Sequence, residues 1–248
     1  MKKVKKEIKD KIFKKFFTEY QIKNENNYTD FTRDELDIIG KVKGFTMTSA
    51  ERVVSLIRAV NYIELNNIGG SIIECGVWKG GSIMAALLAL KEKNRDVYLY
   101  DTFEGMSEPT DQDKSYKDES AKKAYINKDE YWKRIECFST LDEVKNNIYS
   151  IDYPKNKIKF IQGKVEDTIP NIIPEKIAIL RLDTDWYEST MHEMIHLFPR
   201  LVAGGVIIID DYGHWKGCRK AIDEYINDNN VKLLLNRIDY TGRIGIKL

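Results

Sequence analysis

The chain has 248 residues, 42% of them hydrophobic and 32% charged, enough to build one full-sized domain core. With 40 Lys and Arg against 39 Asp and Glu the net charge is +1, which excludes nucleic acid as the principal partner, because neutralising phosphates takes a clear basic excess. No apolar run nears the roughly 20 residues of a bilayer span, no signal-peptide core is visible, and Cys75, Cys137 and Cys218 form no C-x-x-C pair, so the expectation is a cytoplasmic protein with reduced thiols and neither a disulfide frame nor a zinc site.

Residues 1–45 read as an N-terminal helical extension and 46–248 as the main domain. The first seventeen residues carry eight lysines, with Val4, Ile8, Ile12, Phe13, Phe16 and Phe17 on one helical side. Membrane-surface contact, contact between copies in a homo-oligomer, and plain packing on the domain are its three readings. A helix over 49–65 follows the cap-like Thr46-Met47-Thr48-Ser49. Strands over 71–75, 97–101, 158–162, 177–183 and 206–210 then alternate with helices near 82–91, 141–148, 189–201 and 218–227, the pattern of a mostly parallel sheet covered on both faces. Stretches 231–238 and 243–248 flank Asp239-Tyr240-Thr241-Gly242 and predict a terminal antiparallel hairpin. Residues 106–135 are too long for a simple connection, and read either as a lid over a site or as a surface loop.

The most informative segment is Glu74-Cys75-Gly76-Val77-Trp78-Lys79-Gly80-Gly81-Ser82, where a strand ends in a glycine-rich turn and a helix begins. Such a turn lets backbone approach a ligand and aims a helix N-terminus at an anionic group, although a tight structural turn has the same composition. In an open parallel sheet, ligands sit at the carboxyl ends of strands, and here those ends are acidic. Asp101 stands where a carboxylate grips ribose hydroxyls, or caps the turn Asp101-Thr102-Phe103-Glu104-Gly105. Asp210 and Asp211 close the last strand, and adjacent carboxylates repel unless a cation or a shared proton intervenes. With Asp183 as third ligand they suit Mg²⁺; in the alternative they cap helices or pair with Arg181, Lys216 or Arg219. His192 and His196 read as surface or packed residues. His214 falls in the loop after Asp211, as a proton acceptor or as an incidental loop residue.

Met47-Thr48-Ser49, the glycine turn, Asp101-Thr102-Phe103-Glu104-Gly105, Leu180-Arg181-Leu182-Asp183-Thr184-Asp185-Trp186-Tyr187-Glu188-Ser189-Thr190 and Gly204-Gly205-Val206-Ile207-Ile208-Ile209-Asp210-Asp211-Tyr212 occur in that order. This ordered set resembles the macrocin O-methyltransferases, which methylate deoxysugar hydroxyls on macrolides and aminocoumarins. The resemblance implies a Rossmann-like α/β class I methyltransferase fold, S-adenosylmethionine as methyl donor, and Mg²⁺ on Asp183, Asp210 and Asp211. It places Thr48, Glu74, Gly76, Val77, Trp78, Gly80, Ser82, Asp101, Thr102, Phe103, Gly105 and Gly163 at the cofactor. Asp183, Asp185 or His214 would take the acceptor's proton. Catechol-type methyltransferases carry a base lysine just after the first metal ligand; Trp186 and Tyr187 stand in that neighbourhood here, which favours a small-molecule sugar acceptor. The rivals are a nucleotide-cofactor or nucleotide-sugar enzyme of another reaction type, and a noncatalytic cofactor-binding protein.

Overall fold

Short runs of β-branched and aromatic residues make the strands, and their alternation decides what lies on each side of the sheet. The computed structural model describes residues 28–248, and the lysine-rich helix expected over residues 1–17 lies outside them. Contacts divide the chain into residues 1–36 and 37–248. In the described part of the first unit, Thr32 Oγ1 accepts the Glu35 amide (3.2 Å) and Glu35 accepts the Thr32 amide (2.7 Å), a capping box that starts helix α1, Arg33–Val42.

In the second unit, helix α2 (Ala50–Leu65) is capped by Ser49, which accepts the Arg52 amide. Strands β1 (Ser71–Cys75), β2 (Val97–Asp101) and β3 (Ile158–Gln162) fall where the sequence predicts them. β4 (Ile177–Leu182) stops one residue short of Asp183. β5 (Leu201–Ile209) begins five residues before the expected start, because Gly204, at φ 79°, bends within the strand while its amide donates to Lys247 O at 2.7 Å. Of the expected strand over 231–238 only β6 (Asn236–Arg237) pairs, beside β7 (Arg243–Ile246); Val231, Leu233 and Leu235 instead pack their side chains on the core.

The seven strands lie in the order β3-β2-β1-β4-β5-β7-β6, parallel from β3 to β5 and antiparallel through β7 and β6. Ile72, Leu99, Ile179, Val206 and Ile208 face one apolar layer, which includes α2 and α3 (Gly81–Ala89). Ile73, Tyr98, Tyr100, Leu180, Ile207 and Ile209 face the other. The segment 106–135 contains α4 (Ala121–Asn127) and α5 (Trp132–Ile135); α6 (Leu141–Ile148), α7 (Val165–Thr168), α8 (Tyr187–His196) and α9 (Lys216–Asp228) complete the helices used below. Among the described residues no helix is long and apolar enough to cross a membrane. Because β1 runs between β2 and β4, the chain leaves the sheet centre in opposite directions, and the crevice at this reversal is where such sheets bind ligands.

Candidate active site

A cavity of about 320 Å³ crosses the carboxyl ends of five adjacent strands. Backbone hydrogen bonds carry the sheet ladder past those ends: Gly163 N to Asp101 O (3.0 Å), Gly76 N to Tyr100 O (2.9 Å), Asp183 N to Cys75 O (2.9 Å) and Asp210 N to Leu182 O (2.9 Å). The residues after each strand are therefore held in line by main chain. Gly76 has φ 82°, and a Cβ there would overlap the carbonyl of Asp183.

The glycine-turn end is lined by Thr48, Gly76, Val77, Trp78, Ser82, Asp101, Thr102, Gly105 and Gly163. Asp101 Oδ2 accepts the amides of Val77 (2.6 Å) and Trp78 (3.0 Å), and Oδ1 accepts that of Phe103 (2.7 Å). It both caps its turn and faces the cavity. Glu74, Gly80 and Phe103, expected at the cofactor, do not line the cavity. Glu74 is buried against Arg181, Gly80 turns into α3 with its missing side chain facing Ile148, and Phe103 packs into the core beside Phe160.

At the other end Asp183, Asp185 and Asp211 bring carboxylate oxygens within 4.8 Å of one another. Burial pushes the Asp185 carboxyl up to about 7, and burial likewise raises Asp183 and Asp211 well above the carboxylate range, with the neighbouring acids adding to it. Asp211 Oδ2 is buried with no hydrogen-bond partner. Asp210, the expected third ligand, is held elsewhere: Oδ1 accepts from Arg181 Nη2 at 2.6 Å, and Oδ2 is ion-paired with Arg52 Nη1. Arg181, 3% exposed, also binds Glu74 (2.7 Å), Asp183 (2.6 Å) and Thr48 Oγ1 (3.2 Å). Burial pushes Glu74 up to about 7, against the attraction of Arg181.

Arg52 also binds Asp239 Oδ2 (3.0 Å), which accepts from Ser49 Oγ as well (2.8 Å). Asp239 Oδ1 takes the amides of Thr241 and Gly242, so this carboxylate fixes the turn that brings Tyr240 to the cavity. His214 lines the same wall, with Nδ1 3.2 Å from Tyr240 Oη, and burial lowers its pKa. His192 and His196 lie side by side on α8, their ring centroids 4.5 Å apart and the rings tilted 53°, and line no part of this cavity. Sequence reading missed Arg52, whose helical position resembles any surface arginine. Arg181 carried a signal: a lone charge in an all-buried strand has to be paired.

A mostly parallel sheet ending in an antiparallel pair, with a cavity across its strand ends, is the fold of the S-adenosylmethionine-dependent O-methyltransferases. An O-methyltransferase from Bacillus cereus in complex with SAH shares it (TM-score 0.53, 12% identity, 89% of this chain and 96% of that one). The macrocin O-methyltransferase family profile matches residues 2–244, and the chain belongs to that family. It is similar to the mycinamicin III 3''-O-methyltransferase of Micromonospora griseorubida, 31% identical over 79% of this chain and 76% of that one. The demethyldecarbamoylnovobiocin O-methyltransferase of Streptomyces niveus is 31% identical over 79% and 73%. The structure of the O-methyltransferase NovP superposes with a TM-score of 0.70 at 28% identity, covering 82% of each chain.

Proposed function

We propose that this enzyme moves the methyl group of S-adenosylmethionine to a sugar hydroxyl on a glycoside, glycan precursor or nucleotide sugar, assisted by a divalent cation. The observation that carries the reading is the gathering of Asp183, Asp185 and Asp211 in the same cavity as the glycine turn and Asp101. The family and the named substrates of its relatives support the sugar class.

The acidic end fits a cation. Three carboxylates converge, and the Asp211 oxygen without a partner is a costly arrangement until a positive charge or proton meets it. Asp183 and Asp211 would hold the ion, with Asp185 within their reach and Asp210 kept by its arginines. When bound, the sulfonium donor supplies an electrophilic methyl carbon and the cation a Lewis acid that lowers the hydroxyl pKa. Thr48, Gly76, Val77, Trp78, Ser82, Asp101, Thr102, Gly105 and Gly163 would hold the donor, Asp101 through acceptor capacity left by its amide bonds. Asp185 would take the proton released by the acceptor hydroxyl. His214 and Tyr240 form a wall on which the apolar face of a sugar ring can stack.

The test offers 6-deoxyhexosides, nucleotide sugars and simple catechols with labelled donor, with and without EDTA. Label should pass to a sugar and only with a divalent ion present. Transfer to catechols alone overturns the sugar assignment, and full activity in EDTA overturns the metal.

A further inference from the structure

Asp185 has φ 69°, a conformation that costs energy for a residue with a side chain and persists only where its surroundings impose it. Its Oδ2 accepts the indole N–H of Trp215 at 3.1 Å. Trp215 is 2% exposed and meets Trp186 edge-on, with ring centroids 4.9 Å apart. These two tryptophans are also the seat of the segment 106–135. Trp186 donates its indole N–H to Ser107 O at 3.0 Å, and Trp215 forms an antiparallel bridge with Ser115. Between those points Asp113, fully buried, accepts the amides of Thr110 (2.6 Å) and Tyr187 (2.8 Å), fastening the segment to the first residue of α8. The residue after Asp185 and the residue that binds its carboxylate are thus both held by one stretch of chain.

We infer that Trp215 is the positioning residue for Asp185, and that the segment 107–115 sets the direction of that carboxylate by holding Trp186 and Trp215. This rests on the assignment of Asp185 as proton acceptor. The segment also borders the cavity at Ser107, so one stretch of chain both lines the cavity and supports the residue that binds Asp185.

Trp215→Phe keeps a ring in place and removes the donor. Turnover should fall about tenfold to a hundredfold, the effect of losing one hydrogen bond to a charged group, with the KM for donor unchanged. In an Asp185→Asn background the same substitution should change residual turnover no further, as two residues acting through one interaction do not add. A second readout needs no activity: the ¹⁵N-indole resonance of Trp215, identified by its loss in Trp215→Phe, should shift in Asp185→Asn and in Asp113→Ala. Unchanged turnover in Trp215→Phe, equal losses in both backgrounds, or an indole resonance indifferent to both substitutions overturns the inference. Wild-type turnover in Asp185→Asn alone overturns the base assignment, and is read from that single variant.

Discussion

Asp101 holds Val77 by its amide at 2.6 Å, so the carboxylate that ends β2 fixes the turn that follows β1. One oxygen serves the glycine turn and the other its own turn, so both turns are fixed by a side chain that also faces the cavity. Asp101→Ala should weaken donor binding by about 1–3 kcal/mol, the usual cost of stranding polar partners, and lower the melting temperature as well. Asp101→Asn, which keeps acceptor capacity on one oxygen only, should fall between the two. Calorimetric donor affinity equal in wild type and Asp101→Ala contradicts the assignment.

Asp183→Asn and Asp211→Asn should each reduce Mn²⁺ affinity by more than about tenfold, while donor affinity stays near wild type, because the proposed cation would serve the acceptor end. Asp210→Asn should cost less Mn²⁺ affinity than either, since both its oxygens are occupied by Arg181 and Arg52. Calorimetric titration decides. Loss of binding in Asp210→Asn as severe as in Asp183→Asn restores Asp210 as a ligand and means that the arginines release it.

Arg181 is the counter-charge of three acids, Glu74, Asp183 and Asp210. Arg181→Met should destabilise the metal-free protein by about 3–5 kcal/mol, since breaking a buried pair leaves uncompensated charge. Denaturant unfolding measures it, and Mg²⁺ should recover part of the loss. A change below about 1 kcal/mol, the scale of an exposed pair, means that water already screens these acids.

Glu193 is fully buried on α8, with Oε1 accepting from Thr184 Oγ1 at 3.0 Å and Oε2 without a partner. Burial holds its pKa well above the usual 4.5, so the folded protein keeps a proton that the unfolded chain releases. Its contribution to stability is complete below about pH 4.5 and is lost as pH rises through the folded pKa. Glu193→Gln should therefore gain melting temperature relative to wild type at pH 8 compared with pH 5. Parallel melting curves across that range rule out a protonated Glu193.

The strands were legible because their signal is local. Ile72-Ile73, Val97 to Tyr100 and Ile177 to Leu180 are apolar runs that belong nowhere but in a covered sheet, and the acids that end them mark the ligand side. The partnership of those acids was not local. Arg52 reaches Asp210 from 158 residues away and Arg181 reaches Glu74 across 107, and no periodicity records which long side chain bends into a site. Trp186 and Tyr187 were visible as part of the motif Leu180 to Thr190 and as the absence of a lysine, but their contacts with Ser107 and Asp113 depend on how an irregular segment folds back. Helix α1 fell inside the helical extension expected over residues 1–45, but its bounds were not legible, because Leu36, Ile38, Ile39 and Val42 make too short an apolar pattern to mark where a helix starts and stops.

The packing of Gly76 against the carbonyl of Asp183 leaves no room for a side chain between the donor turn and the first aspartate. Under the proposed function, the gap that a methyl group must cross would be set there by main chain against main chain, and side-chain changes elsewhere around the cavity would leave that span as it is.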